Sequence, residues 1–176
     1  MPAFKDLPPA QSVPDDFNVI VEIPIHADPV KYEMHKATGL LTVDRFLATA
    51  MQYPCNYGFV PNTLSLDGDP VDVLLIAPLP VQPGAFVRCR ALGVLLMTDE
   101  AGEDTKILAV PIKKVCMQTA HINTLEDIPK VNLDMIIHFF EHYKDLEIGK
   151  WVKVTGFSGL DAATKELNDS IARYKS

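Results

Sequence analysis

The chain has 176 residues, 48% hydrophobic and 22% charged, which suits one globular domain over residues 1–176 with a core that needs no disulfides. The formal net charge of −7 argues against a nucleic-acid-binding surface as the main business. The three cysteines match no zinc spacing, Met1–Asp6 has no apolar signal core, and Pro78 and Pro80 break the apolar runs; neither a leader nor a membrane span is expected, and a cytoplasmic setting follows.

In chain order, Asn18 to Pro24 is predicted as a strand, with Val19, Val21 and Ile23 on one face and Ile20 and Glu22 on the other. Val30 to Met34 is a second extended piece, on which Lys31 and Glu33 share a face. Thr38-Gly39 is a turn signal before a strand over Leu40 to Arg45. Tyr53 to Asn62 holds Pro54, Gly58 and Pro61 and is expected to be mostly loop. Val71 to Ile76 is predicted as a buried strand. Phe86 to Thr98 is predicted as a long strand with a bend at Gly93. Thr105 to Ile112 returns from the acidic loop Asp99–Asp104. Helices follow: about Asp127 to Lys144, introduced by a Thr124/Asp127 capping box, and Leu160 to Tyr174, with Leu160, Ala163, Leu167 and Ile171 on one stripe. Many strands followed by two late helices, with 14 prolines spread along the chain, predict an α+β fold: a small barrel flanked by helices.

The most informative stretch is Asp67-Gly68-Asp69-Pro70-Val71-Asp72. Asp72 lies within the buried strand, sharing a face with Leu74 and Ile76. A carboxylate there must be paired or bound to a metal, because its burial alone is very costly. Asp99 and Asp104 flank Gly102 at the strand-to-strand loop, with Lys106 two residues on. Together with Asp67 and Asp72 they offer oxygen ligands to hard cations such as Mg²⁺. The EF-hand pattern does not fit, since its twelfth position is Pro78. A cationic and phenolic set accompanies the acids: Lys31, Arg45, Tyr53, Tyr57, Tyr143 and Lys144. Divalent cations would reconcile the two sets by bridging carboxylates to phosphate oxygens. Two other readings remain: a non-catalytic binding module, which the scarcity of clustered Lys and Arg disfavours, and a calcium-binding structural protein.

These residues resemble the family I soluble inorganic pyrophosphatases. The Asp67–Val73 signature is joined by Glu22, Lys31-x-Glu33, Arg45, Tyr53-Pro-x-Asn-Tyr57-Gly-Phe, Asp99, Asp104-x-Lys106 and Tyr143-Lys144; the short length resembles the bacterial type. The resemblance implies a five-stranded OB-like barrel with two helices, a homohexamer, and Mg²⁺-dependent hydrolysis of pyrophosphate to two phosphates. It implies that Asp67, Asp72 and Asp104 bind a first ion, that Asp72 shares a second, and that Asp99 and Asp104 hold a third. Glu33 would reach a further ion through water, with Glu22 at the edge of the cluster. Asp69 would be the general base. Lys31, Arg45, Tyr57, Lys106, Tyr143 and Lys144 would contact phosphate oxygens, with Tyr53 in support. His138 and His142, one helical turn apart, suit a subunit interface.

Overall fold

The structure is a computed structural model that describes residues 3–175; Met1, Pro2 and Ser176, and so the start of the stretch read above for a leader, lie outside the described residues. Among the described residues, nine strands and two α-helices follow one another: β1 (Ala10–Ser12), β2 (Asp16–Ile23), β3 (Val30–Met34), β4 (Leu41–Phe46), β5 (Asn56–Phe59), β6 (Asp72–Leu75), β7 (Phe86–Asp99), β8 (Gly102–Pro111), α1 (Lys130–His142), β9 (Val152–Ser158) and α2 (Leu160–Lys175).

Five strands close on themselves in the order β2-β5-β6-β8-β7 and back to β2. This is the expected five-stranded OB-like barrel, and closure leaves no free edge within the ring. β1 extends β2, β9 extends β7, and β3 and β4 form a separate hairpin. Only the β6–β8 pairing in the ring is parallel. The 14-residue β7 makes the closure possible: its first part pairs with β2 and its last part with β9. Its register shifts at Ala91/Gly93, where the sequence predicts a bend. Gly93 is required there, since a Cβ would stand 2.7 Å from Leu125 Cδ1 and collide with the Ser158 carbonyl.

Alternation on the ring strands feeds two apolar clusters. Leu74, Leu95 and Leu108 pack toward Ile136, Phe139 and Phe140 of α1. Val71, Val73 and Leu75 pack with Ala163 and Leu167 of α2. Both faces of β6 are thereby buried, as its apolar run predicts.

The structure adds to one expectation and changes three. Tyr53–Asn62 is mostly loop, as expected, but its middle, Asn56–Phe59, is a buried ring strand. Gly58 is there because β2 passes so close that a Cβ would run into the Ile20 carbonyl, and the Asn56 side chain accepts from Ile25 N and Val81 N, at 3.1 and 2.8 Å. Ile23 does not share the cluster of Val19 and Val21; an irregularity after Val21 turns it to the α1 side. The first helix is shorter than predicted. The Thr124/Asp127 box caps a 3₁₀ turn over Leu125–Asp127, and α1 begins only after Pro129. On α2, Leu160 is exposed and Ser170 takes a buried place beside Ala163 and Leu167, its hydroxyl donating to Leu167 O. Among the described residues no helix is long and apolar enough to cross a membrane.

Candidate active site

Asp72 opens β6, opposite Phe59 of β5 on one side and Lys106 of β8 on the other. The ring therefore delivers a carboxylate, an ammonium and, from β5, the Tyr57 hydroxyl to one point. Asp72 Oδ2 accepts from Tyr57 Oη and, at 2.8 Å, from Lys106 Nζ. The same ammonium donates to Asp104 Oδ1 at 2.9 Å. Lys106 is only 3% exposed. Burial works against its charge, but Asp72 and then Asp104 outweigh it and raise its pKa. Its Nζ also lies over the rings of Tyr57 and Phe140, at 5.4 and 5.6 Å from their centroids.

Asp67 and Asp69 belong to the turn before β6, where Asp67 Oδ1 accepts from Asp69 N at 2.9 Å. Burial raises the Asp67 pKa, and the nearby Asp72 and Asp104 add to the rise. Asp69 is exposed and its Oδ1 accepts from Lys36 Nζ at 2.6 Å. At the β7–β8 tip, Asp99 Oδ2 accepts from Lys144 Nζ at 2.8 Å. Burial pushes the Asp99 carboxyl up, but Lys144 and the Ala101 N–H hold it below its usual value. The neighbouring Glu100 pairs with Lys150 at 2.6 Å and has its pKa held at about 2 against the opposing effect of burial.

The β3–β4 hairpin supplies the facing wall. Lys31 and Glu33 pair at 2.5 Å across the irregularity after Lys31. Glu22 Oε1 accepts from Met34 N at 2.6 Å and so ties the hairpin to β2. Burial drives the Glu22 carboxyl up to about 8, with Asp72 and Glu33 adding to the rise and the Met34 N–H opposing it. Arg45 Nη1 donates to Asp44 Oδ2 at 2.7 Å. Tyr143, at the C-terminal cap of α1, stacks on Phe139 with centroids 5.3 Å apart.

Glu22, Lys31, Glu33, Arg45, Tyr57, Asp67, Asp69, Asp72, Asp99, Asp104, Lys106, Tyr143 and Lys144 all line one cavity of about 580 Å³. Tyr53 does not line it. It is buried behind Tyr57, ring centroids 5.8 Å apart, and packs on Phe139. Lys36 and Lys150 also line the cavity; neither stands out in the sequence, because each is a lone lysine in a polar turn.

The donor set suits hard cations, being all oxygen. Among the described residues no three acidic, His or Cys side chains stand together as a ready metal cluster; Lys106 instead occupies the space between Asp72 and Asp104. Burial first, and then the charges of Asp72 and Asp104, raise the Asp67 pKa; a divalent ion held by these oxygens would relieve the like-charge part of that rise. The residues thus fit Mg²⁺ by chemistry.

The family profile for inorganic pyrophosphatase matches residues 19–175, a span that holds every cavity residue from Glu22 to Lys150. The chain belongs to the inorganic pyrophosphatase family. An inorganic pyrophosphatase of Ralstonia nicotianae is 57% identical over 173 residues, 98% of this chain and 99% of that protein. That of Escherichia coli strain K12 is 54% identical, with 98% of each chain covered. The solved structure of an inorganic pyrophosphatase from Coxiella burnetii superposes with a TM-score of 0.93 at 56% identity, over 96% of this chain and 99% of that one. The family likeness to these bacterial pyrophosphatases is full-length, so barrel, hairpin and both helices are shared.

Proposed function

We propose that this protein hydrolyses inorganic pyrophosphate to two orthophosphates, with several Mg²⁺ ions and a water molecule as nucleophile. The observation that carries the reading is the meeting in one cavity of seven carboxylates, Glu22, Glu33, Asp67, Asp69, Asp72, Asp99 and Asp104, with seven cations, Lys5, Lys31, Lys36, Arg45, Lys106, Lys144 and Lys150. Lys31, Lys36, Lys106 and Lys144 are paired with Glu33, Asp69, Asp72 and Asp104, and Asp99; divalent ions taken up by those carboxylates would free the ammonium groups for phosphate oxygens.

Asp67, Asp72 and Asp104 would hold the first ion, Asp72 a second, and Asp99 with Asp104 a third; Glu33 would serve a further ion through water, with Glu22 at the edge. When bound, the ions supply charge neutralisation and a lowered pKa for water. The chain's own groups do the rest. Asp69 accepts the proton of the attacking water, which requires it to release Lys36. Lys31, Arg45, Lys106 and Lys144 neutralise charge on the substrate's terminal oxygens. The Tyr57 and Tyr143 hydroxyls donate to those oxygens. Burial raises the pKa of both phenols, so they remain protonated donors at neutral pH. Tyr53 keeps Tyr57 in place by packing.

The working protein is proposed to be a cytoplasmic homohexamer. Its three cysteines are free, which fits a reducing compartment. The exposed Val131 and Met135 of α1 and the facing rings of His138 and His142, 4.8 Å apart, fit a subunit contact.

The test is phosphate release from pyrophosphate in Mg²⁺, with metal-stripped protein in chelator as the control. Turnover is expected only with the metal, and Asp69→Ala is expected to lower kcat by about 10²–10⁴-fold. Undiminished turnover in chelator, or in Asp69→Ala, would overturn the reading.

A further inference from the structure

Arg45 has five N–H donors; Asp44 accepts one of them, and Glu147 stands beside the Nε edge as an ion-pair partner. Nη1 donates to Asp44, the adjacent residue on β4; such a partner moves with the hairpin and cannot aim the guanidinium relative to the barrel. The other neighbour is Glu147, with its Oε2 3.5 Å from Arg45 Nε. Glu147 sits in the turn after α1 and does not line the cavity, so it stands behind the guanidinium.

The Glu147 side chain is 15% exposed. Its Oε1 and the Arg45 Nε are both buried without a hydrogen-bond partner among the described residues. Holding a carboxylate there is costly unless the facing cation compensates it. Burial works against the charge on Arg45, yet Glu147 and then Asp44 raise its pKa. The turn itself does not need the carboxylate, since backbone bonds close it: Glu147 N to Lys144 O at 2.9 Å and Lys150 N to Glu147 O at 3.2 Å. The same turn region carries Lys144 and Lys150, which grip Asp99 and Glu100 on the opposite wall. Glu147 is thus fixed to the barrel side while Arg45 rides on the hairpin.

We propose that Glu147 is a positioning residue for the reaction: it holds the Nε edge of Arg45 from behind, so that the three remaining N–H donors face the anionic substrate. The proposal rests on the reading of Arg45 as a pyrophosphate-binding group. Glu147 touches no reacting atom.

The experiment is a double-mutant cycle on the full chain with Glu147→Ala, Arg45→Ala and the pair, plus Glu147→Gln, all with Mg²⁺ and pyrophosphate. Glu147→Ala is expected to raise KM about tenfold, the scale of one partly buried ion pair, with kcat nearly unchanged. Glu147→Gln, which keeps the shape but removes the charge of the ion pair, should show most of the same KM rise. In the Arg45→Ala background, Glu147→Ala should change nothing further. An unchanged KM, or an equal loss with and without Arg45, would overturn the proposal. Calorimetric binding of inorganic phosphate to the same variants tests the coupling without turnover: an affinity loss in Glu147→Ala that vanishes in the Arg45→Ala background is expected, and its absence overturns the proposal even if the wild-type chain releases no phosphate from pyrophosphate. Should Glu147→Ala fail to fold, the near-isosteric Glu147→Gln carries the cycle.

Discussion

Lys106 shows how a single residue joins folding to chemistry here. Its ammonium is buried between Asp72 and Asp104 and is held by both. Removing one partner from such a group leaves uncompensated buried charge, which costs about 3–5 kcal/mol. Lys106→Met is therefore expected to lower stability on that scale in chelator, as read by urea denaturation. Mg²⁺ should restore a measurable part of the loss, because the two carboxylates it leaves behind are oxygen ligands. Lys36 is the opposite case. Its pair with Asp69 is exposed on both sides, so Lys36→Ala should change stability by less than about 1 kcal/mol. It should not lower kcat, since in the proposed mechanism Asp69 must leave Lys36 before accepting a proton.

At the scale of elements, the site is a product of strand register. β6 is hydrogen-bonded on both edges, and this pins Asp72 beside Lys106. The close passage of β5 over β2 depends on Gly58, and a Cβ there would collide with the Ile20 carbonyl and stand 2.9 Å from Val21 Cα. Gly58→Ala is expected to destabilise the protein by about 3 kcal/mol or more, at the upper end of overpacking costs; a thermal melt would register this as a large fall in Tm. This position also marks the limit of what the sequence discloses. β6, β7 and β8 were legible because their apolar runs are long and carry few turn residues. β5 was not, because Pro54, Gly58 and Pro61 read as loop signals, while the reason for Gly58 is a contact with a strand some forty residues upstream. Most of the acidic residues that line the cavity were legible, since they fall in short dense motifs, whereas Lys36 and Lys150 were not. Glu147 was not: it looks like any turn glutamate, and its partner Arg45 lies far away in sequence. The Thr124/Asp127 box was legible as a cap, but Pro129 delays the helix that it was expected to start.

At the scale of the whole molecule, charge is concentrated on one cavity and its balance depends on pH and metal. The Glu22 carboxyl has an ordinary value of 4.5 and is raised to about 8 in the fold. The folded chain therefore binds this proton more tightly than the unfolded chain. The resulting stabilisation is complete below about pH 4.5 and is lost as pH rises through about 8. In chelator, Tm should fall between about pH 4.5 and pH 8 and level off above it, and Glu22→Gln should flatten that slope. Assembly can be weighed directly by light scattering: the proposed hexamer has six times the mass of the 19.5 kDa chain, and substituting Val131 and Met135 by charged residues should reduce that mass without abolishing the fold.

The single parallel seam, β6 against β8, has a last consequence. Asp72 and Lys106 face each other across it, so any excursion that parts these two strands also dismantles the charge balance of the cavity. Turnover then works as a gauge of barrel integrity: on a denaturant titration, catalysis and circular dichroism should disappear along one shared curve.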